Sequence, residues 1–174
     1  MRQMLIETGK AEIKPSVEWS DDLWFINQEQ RDFIKNEGWW VIHSGTAKGT
    51  LVGGNLSTQM LLKGSEYWPG FKPDTILLAE DCFSSSGDPK DFLRQLQSLA
   101  YQPDFSNVKA LLIGRFQKAS GMTRELLEYI INSIPQLKAI PVIANLDFGH
   151  TMPLLTLPIG GEGEIASNGL LIQI

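Results

Sequence analysis

The fold is decided by residues 75–80, TILLAE, an apolar run that ends in the charged residue Glu80. Consecutive apolar residues of this kind are typical of a strand that is buried on both faces. Two similar runs follow at Lys109–Ile113 and Ile140–Leu146, and a segment with helical spacing precedes each of them. This alternation of strand and helix predicts a parallel α/β sheet.

The predicted helices carry local start signals. Asp88-Pro89 combines an N-cap residue with a proline at the first helical position, and apolar residues follow at helical spacing. Thr123 precedes a second such set, and the double glycine at 53–54 precedes a short helix predicted over Leu56–Leu62.

The two ends of the sheet are predicted to be β-hairpins. Trp39–His43 and Thr50–Val52 flank a turn at Gly45–Gly49, and residues 165–174 read as a hairpin around Ser167-Asn168-Gly169. Leu154–Pro158 is strand-like. The predicted fold is therefore an α/β domain with a central, largely parallel sheet, flanking helices and terminal β-hairpins, which allows partial closure into a barrel.

The first 38 residues differ from the rest of the chain. Residues 1–9 read as the last turns of a helix that Gly9 terminates, yet they contain no start signal. Residues 10–38 lack periodicity and are predicted to be a linker, so the domain itself is predicted to span residues 39–174.

Composition excludes several classes of protein. The chain has 174 residues, a net charge of −5 and a pI of about 5.0, which argues against a nucleic acid polymer as the partner. Cys82 is the only cysteine, so a disulfide framework is excluded. No apolar run reaches the roughly 20 residues that span a bilayer. With no signal-peptide pattern, a cytoplasmic protein without membrane contact is expected.

Two residues are candidates for catalysis. Glu80 ends one predicted strand, and His150 follows the turn-like Asp147-Phe148-Gly149 at the end of another. Parallel α/β sheets place their sites at these strand ends, so the two could be the carboxylate and the base of a hydrolytic triad. Asp81 could replace Glu80, and each residue could instead be an ordinary polar residue at a strand end.

The nucleophile is not evident in the sequence. No Gly-x-Ser-x-Gly motif is present, and the serines available are Ser44, Ser57 and Ser84–Ser86. A Cys82–His150 hydrolase is a weaker hypothesis, because a neighbouring carboxylate disfavours a thiolate.

One candidate binding residue stands out in the predicted linker. Trp19 is flanked by Ser20-Asp21-Asp22 and is predicted to be exposed, where its indole could stack on a ligand or anchor a neighbouring domain. Gly53-Gly54-Asn55 is too short for a phosphate-binding loop. Without a cofactor loop or a metal cluster, neither a cofactor nor a metal is predicted.

Several stretches match a known family in the family's own order. The chain resembles the C-terminal domain of the LD-carboxypeptidase and microcin C immunity family of serine peptidases, and it is closer to the immunity branch. The resemblance is carried by Pro15–Asp21, Gly49–Leu56, Ile76–Asp81, Leu112–Phe116 and Gly149–Gly160.

The resemblance implies a Ser–His–Glu triad in which Glu80 and His150 are the Glu and the His. It implies that the serine belongs to an N-terminal domain, of which residues 1–9 would be the remnant of the last helix. This chain alone is then expected to be inactive, with that domain as its partner, and the protein is expected to be a homodimer.

The resemblance also implies the substrate. In the immunity branch it is a peptidyl- or aminoacyl-nucleotide whose amide bond is hydrolysed, with Trp19 stacking on the base and Asn55 binding the substrate. In the other branch it is the L-D bond of a peptidoglycan tetrapeptide. A hypothesis of a different class is a non-catalytic ligand-binding module.

Overall fold

A computed structural model of the chain describes residues 9–23, 26, 29–82, 88–166 and 169–173. The described strands are β1 (Lys10–Ile13), β2 (Glu18–Trp19), β3 (Ile34–Lys35), β4 (Trp40–His43), β5 (Ala47–Asn55), β6 (Thr75–Glu80), β7 (Val108–Arg115), β8 (Val142–Gly149), β9 (Glu162–Ala166) and β10 (Gly169–Gln173). The α-helices are α1 (Leu56–Leu62), α2 (Pro89–Ala100) and α3 (Arg124–Ser133). Short 3₁₀ helices lie at Pro103–Asn107, Lys118–Ser120 and Pro135–Leu137.

The centre of the main sheet is parallel, as the sequence predicts. Its strand order is β1-β10-β9-β5-β6-β7-β8-β4, and neighbours from β5 to β8 are parallel while all other neighbours are antiparallel. Strands β2 and β3 form a separate antiparallel pair. The α/β prediction is therefore confirmed.

The short connection between β4 and β5 explains why the sheet curls into a half-barrel. Four strand-to-strand steps separate these two strands, which corresponds to about 19 Å in a flat sheet. Only residues 44–46 join His43 to Ala47, and a chain of this length spans about 14 Å when extended. A flat sheet is therefore too wide for this connection, and the sheet must bend to bring β4 towards β5.

Side chains of the parallel strands alternate between two apolar layers. On β6, Leu77 and Ala79 pack against the helices, while Ile76 and Leu78 pack in the second layer with β1 and β9. Because Glu80 continues the second series, its side chain belongs to the face opposite the helices. The helices begin where the sequence predicts: the side chains of Asp88 and Thr123 accept hydrogen bonds from the backbone of α2 and α3.

The predicted hairpin of β4 and β5 is wrong. Strand β4 pairs antiparallel with β8, and β5 begins at Ala47, inside the predicted turn. Strand β5 pairs instead with β6 and β9, and this central place in the sheet buries Leu51 in the second apolar layer. At the other end, β9 and β10 do form the predicted hairpin, although Ser167 and Asn168 lie outside the described residues. Leu154–Pro158 contains no regular secondary structure.

Part of the predicted linker belongs to the sheet. Strand β1 pairs with β10, and Ala11 and Ile13 are buried in the second apolar layer. The charged residues between and beside them point outward, which is the alternation of a half-buried strand. Residues 1–8, predicted as a helix end, lie outside the described residues. No helix in the described ranges has the length and apolar character needed to cross a membrane.

Strand β8 is longer and more irregular than predicted. It runs to Gly149, so Asp147-Phe148-Gly149 is strand rather than turn. Its register against β7 shifts twice. At the first shift, Ile143 pairs with Leu112 and Leu146 pairs with Gly114, so β8 has one residue more than β7 between these two pairs. At the same shift Asn145 adopts a φ of 61°, as expected for an extra residue in a β-bulge.

Candidate active site

Glu80 and His150 meet at the C-terminal edge of the parallel strands. His150 Nδ1 lies 2.7 Å from Glu80 Oε2, which is hydrogen-bond distance. The side chain of Glu80 is only 8% exposed, whereas that of His150 is 42% exposed. The structure thus brings together the two residues that the sequence singled out, with the carboxylate inside and the imidazole facing outward.

Two glycines allow Glu80 to reach this position. A Cβ atom on Gly114 would lie 2.9 Å from Glu80 Cβ, and one on Gly149 would lie 2.8 Å from Glu80 Oε2. Gly149 also has a φ of 104°, which favours glycine. Any larger residue at either position would therefore push against the carboxylate or its stem.

The contact determines which nitrogen of His150 is available for chemistry. When Nδ1–H donates to the Glu80 carboxylate, Nε2 has a free lone pair and can accept a proton. A buried carboxylate also stabilises the imidazolium that forms afterwards. The pair can therefore act as a general base and its orienting acid group, provided that a nucleophile approaches Nε2.

Asn55 lies at the same edge of the sheet. Its Cα pairs with that of Glu80 in the parallel register of β5 and β6. Its Oδ1 accepts hydrogen bonds from Thr58 N at 2.9 Å and from Ser57 Oγ at 2.7 Å, so it caps α1. This capping fixes the orientation of the amide, and its NH₂ group, which makes no hydrogen bond within the part of the chain that the structure describes, can donate to a ligand.

Trp19 lies on a segment that pairs with the chain just after His150, but it is not the exposed residue that the sequence predicts. It is half-buried on β2, and the next residue, Ser20, exchanges two backbone hydrogen bonds with Met152. The Arg115 guanidinium carbon is 5.1 Å from the centre of the indole ring, and Lys118 Nζ is 5.8 Å from it. These two cations cover part of the ring that the sequence suggested was free.

Lys118 is held beside the indole by an acidic neighbour. Its Nζ lies 2.9 Å from Asp21 Oδ1, and its backbone N–H donates to Asp21 Oδ2. The hydrogen bond to Asp21 raises the pKa of Lys118 above its usual value. Lys118 is therefore a stable positive charge next to Trp19 at neutral pH.

A buried polar network behind Trp19 is missing from the sequence predictions. Arg115 Nη1 lies 2.6 Å from Asp147 Oδ1, and Arg115 Nε donates to Asn145 Oδ1 at 2.9 Å. Asp147 also accepts hydrogen bonds from the N–H and the hydroxyl of Ser16, and Asn36 donates to the carbonyl of Ser16. The one local feature of the sequence that could have indicated this network is Arg115, a charged residue at the end of the apolar run of β7.

The candidate nucleophiles within the chain, and Asp81 as an alternative to Glu80, receive little support from their positions. Cys82 is buried, so its thiol is poorly placed to attack a substrate from solvent. Asp81 is buried as well, and its Oδ1 accepts a hydrogen bond from the N–H of Cys82. Ser44 is exposed, Ser57 donates to Asn55, and Ser84–Ser86 lie outside the described residues.

Comparison with known families settles where the domain belongs. Residues 48–165 match the LD-carboxypeptidase C-terminal domain. The chain belongs to the LD-carboxypeptidase family. The site described above thus lies in a domain of that peptidase family, in agreement with the resemblance seen in the sequence.

Individual relatives of this LD-carboxypeptidase domain support the same assignment. It is 54% identical over 154 residues to the protein named "Putative carboxypeptidase YocD" of Bacillus subtilis, covering 88% of this chain and 46% of that protein. It is 33% identical over 119 residues to the microcin C7 self-immunity protein MccF of Escherichia coli, covering 67% of this chain and 33% of MccF. The chain spans about half the length or less of these curated relatives.

A solved structure of an MccF-like protein from Bacillus anthracis has the same fold as this LD-carboxypeptidase domain. The two superpose with a TM-score of 0.90 at 44% identity, over 99% of this chain and 53% of that one. The described fold is therefore shared with proteins that are about twice as long.

Proposed function

We propose that this domain supplies the Glu–His half of a Ser–His–Glu hydrolase that cleaves an amide bond in an aminoacyl- or peptidyl-nucleotide. The observation that carries the proposal is the 2.7 Å contact between Glu80 Oε2 and His150 Nδ1, with the carboxylate buried and the imidazole open. This is the orientation in which a histidine serves as the base for a nucleophile.

Acyl transfer follows from this geometry. His150 Nε2 takes the proton from a serine hydroxyl as the oxygen attacks the amide carbonyl, and the imidazolium then gives that proton to the leaving nitrogen. Glu80 holds the ring in the correct tautomer and stabilises its charged form. In the second half of the reaction, the same nitrogen activates water to release the acyl group.

The serine is proposed to come from an N-terminal domain outside this chain. No Gly-x-Ser-x-Gly motif occurs in the 174 residues, and the matched relatives are about twice as long as the chain. The exposed side of His150 is where such a domain would place its hydroxyl. This chain alone is then expected to hydrolyse nothing.

The nucleotide part of the proposed substrate is supported by MccF. Structures of MccF at 27% identity contain aspartyl sulfamoyl adenosine, glutamyl sulfamoyl guanosine or adenosine monophosphate. In this chain, Trp19 offers an indole for stacking on the base, and Asn55 offers an amide NH₂ for the rest of the ligand. The family match to LD-carboxypeptidases keeps the L-D bond of a peptidoglycan tetrapeptide as the second candidate.

The test uses the full-length protein, comprising this domain and the serine-bearing domain. Release of the amino acid from aspartyl sulfamoyl adenosine and cleavage of a tetrapeptide are both followed by mass spectrometry. We expect hydrolysis of the former, and Glu80→Gln or His150→Ala should lower kcat by about 10³- to 10⁴-fold without unfolding the protein. Cleavage of only the tetrapeptide would shift the assignment to the second candidate.

Matched controls separate the site from general effects of the substitutions. Glu12→Gln removes a carboxylate that is 51% exposed on β1, and His43→Ala removes the other histidine, which contacts Leu137 and Asn132 instead of Glu80. Both controls should keep wild-type kcat. Wild-type activity in Glu80→Gln or His150→Ala would reject the triad, and ligand binding without any hydrolysis would favour the binding-module hypothesis.

A further inference from the structure

We propose that Arg115 is a positioning residue for substrate recognition, which holds the Trp19 indole at a fixed place relative to His150. The proposal rests on the proposed function, because it takes Trp19 as the platform for the base. It goes further by assigning the side chain that orients this platform and closes part of its ring to ligands.

Arg115 is itself held rigidly. Its side chain is 2% exposed, and its guanidinium is fixed by Asp147 on one side and by both the side chain and the carbonyl of Asn145 on the other. Both partners belong to β8. A buried guanidinium with several fixed partners has little rotamer freedom, so a ring that packs on it is fixed as well.

The Trp19 ring packs on this guanidinium. The distance of 5.1 Å from the guanidinium carbon to the ring centre is within the range of a cation–π contact. Since Arg115 is buried, the indole face that meets it is closed to ligands. A base must therefore stack on the part of the indole that neither Arg115 nor Lys118 Nζ, 5.8 Å from the ring centre, covers.

The same residue is coupled to the catalytic histidine through the backbone. Arg115 pairs with Gly149 in the register of β7 and β8, and Gly149 precedes His150. From the other direction, Ser20 follows Trp19 and pairs with Met152, two residues after His150. Ser16 further ties the segment before β2 to Asp147. Arg115 thus lies at the point where the segment carrying Trp19 and the strand leading to His150 are joined.

The experiment separates positioning from chemistry by comparing two substrates in the full-length protein. One is aspartyl sulfamoyl adenosine, and the other carries the same aminoacyl sulfamoyl group without the base. Arg115→Met should raise KM for the nucleotide about tenfold and change kcat less than twofold, while kcat/KM for the base-free substrate falls less than twofold. Arg115→Lys, which keeps the charge, should recover part of the loss. Arg124→Lys, on the exposed side of α3, is the matched control.

A double-mutant cycle tests the route through Trp19. In a Trp19→Ala background, Arg115→Lys should have no further effect on KM, because the ring that it positions is gone. If Arg115→Met does not fold, Asp147→Asn replaces it: the substitution is isosteric, removes the charge that fixes the guanidinium, and should raise KM for the nucleotide alone. Equal losses on both substrates, or additive effects with Trp19→Ala, would overturn the proposal.

Binding of adenosine monophosphate keeps this proposal distinct from the proposed function. Calorimetry on the wild type and on Arg115→Lys should show a several-fold weaker Kd in the variant, whether or not the protein hydrolyses any substrate. If the wild type binds the nucleotide but hydrolyses nothing, the triad is rejected, whereas the positioning role of Arg115 stays supported. Unchanged binding in Arg115→Lys and Asp147→Asn, or no binding to the wild type, would reject the role of Arg115.

Discussion

Replacing Gly149 with alanine should directly disturb the contact between Glu80 and His150, the pair proposed to be catalytic. The added Cβ would lie 2.8 Å from Glu80 Oε2, whereas ordinary contacts begin at about 3.4 Å, so one of the two groups must move by about 0.6 Å. If the carboxylate moves away from His150, their contact lengthens from 2.7 Å to about 3.3 Å, the limit of a hydrogen bond. Misplacement of a catalytic group by 1 Å can cost about 100-fold in rate.

We therefore expect Gly149→Ala to lower kcat by about 10- to 100-fold in the full-length protein. The backbone adds a second effect, because a φ of 104° strains alanine by about 1–3 kcal/mol. The assay combines steady-state kinetics on the nucleotide substrate with urea unfolding, so that lost activity and lost stability are measured on the same sample.

A matched glycine separates these two effects. Gly64 has a φ of 83°, and a Cβ there would meet no atom of the described residues within 4 Å. Gly64→Ala should therefore lose stability through backbone strain and keep its kcat. If the kcat of Gly149→Ala stays within twofold of that of Gly64→Ala, the position of the Glu80 carboxylate does not control the rate, and our account of the site is wrong.

Three further predictions concern stability and can be checked by urea unfolding. Arg115→Met leaves Asp147 as a buried charge without its cation, so the free energy of unfolding should fall by about 3–5 kcal/mol, and a loss below about 1 kcal/mol would contradict the burial of this pair. Asp88→Ala removes the N-cap of α2 and should lower the free energy of unfolding by about 1 kcal/mol. An unchanged free energy of unfolding would mean that this helix end is frayed. Asp21 raises the pKa of Lys118 on folding. The pair therefore stabilises the protein at pH values below 10.5, the usual lysine pKa, and this stabilisation is lost as the pH rises through the higher pKa of the folded state. Because the lysine is half exposed, Lys118→Met should lower the free energy of unfolding by less than about 1 kcal/mol at neutral pH. The difference in the free energy of unfolding from the wild type should shrink above the folded pKa, and a difference that is constant with pH would contradict the pairing of Lys118 with Asp21.

Features that depend on neighbouring residues could be predicted from the sequence. The caps at Asp88 and Thr123 need only the few residues that follow them, and both are present. Glu80 and His150 were recognisable because each follows an apolar run, and the ends of parallel strands converge on one edge of the sheet. Their 2.7 Å contact could not be predicted, since it depends on the irregular path of β8.

Features that depend on distant partners were missed. The pairing of β4 with β8 joins segments about 100 residues apart, and the local turn signal at Gly45–Gly49 favoured the wrong partner. Arg115 looks like an exposed residue at a strand end until Asp147 is placed beside it. Strand β1 does show an alternating pattern, but four residues of it are too few to distinguish a strand from a linker.

The bulge at Asn145 makes the site sensitive to the number of residues in β8. Ala144 packs in the helix-side layer, and the extra residue Asn145 that follows it turns Leu146 and Phe148 towards the opposite layer and Asp147 towards Arg115. Deletion of a single residue here would exchange these orientations, so that a carboxylate would enter an apolar layer and two large apolar side chains would leave it. Substitutions along β8 therefore alter one contact at a time, whereas a one-codon deletion would misdirect every side chain from the bulge to His150.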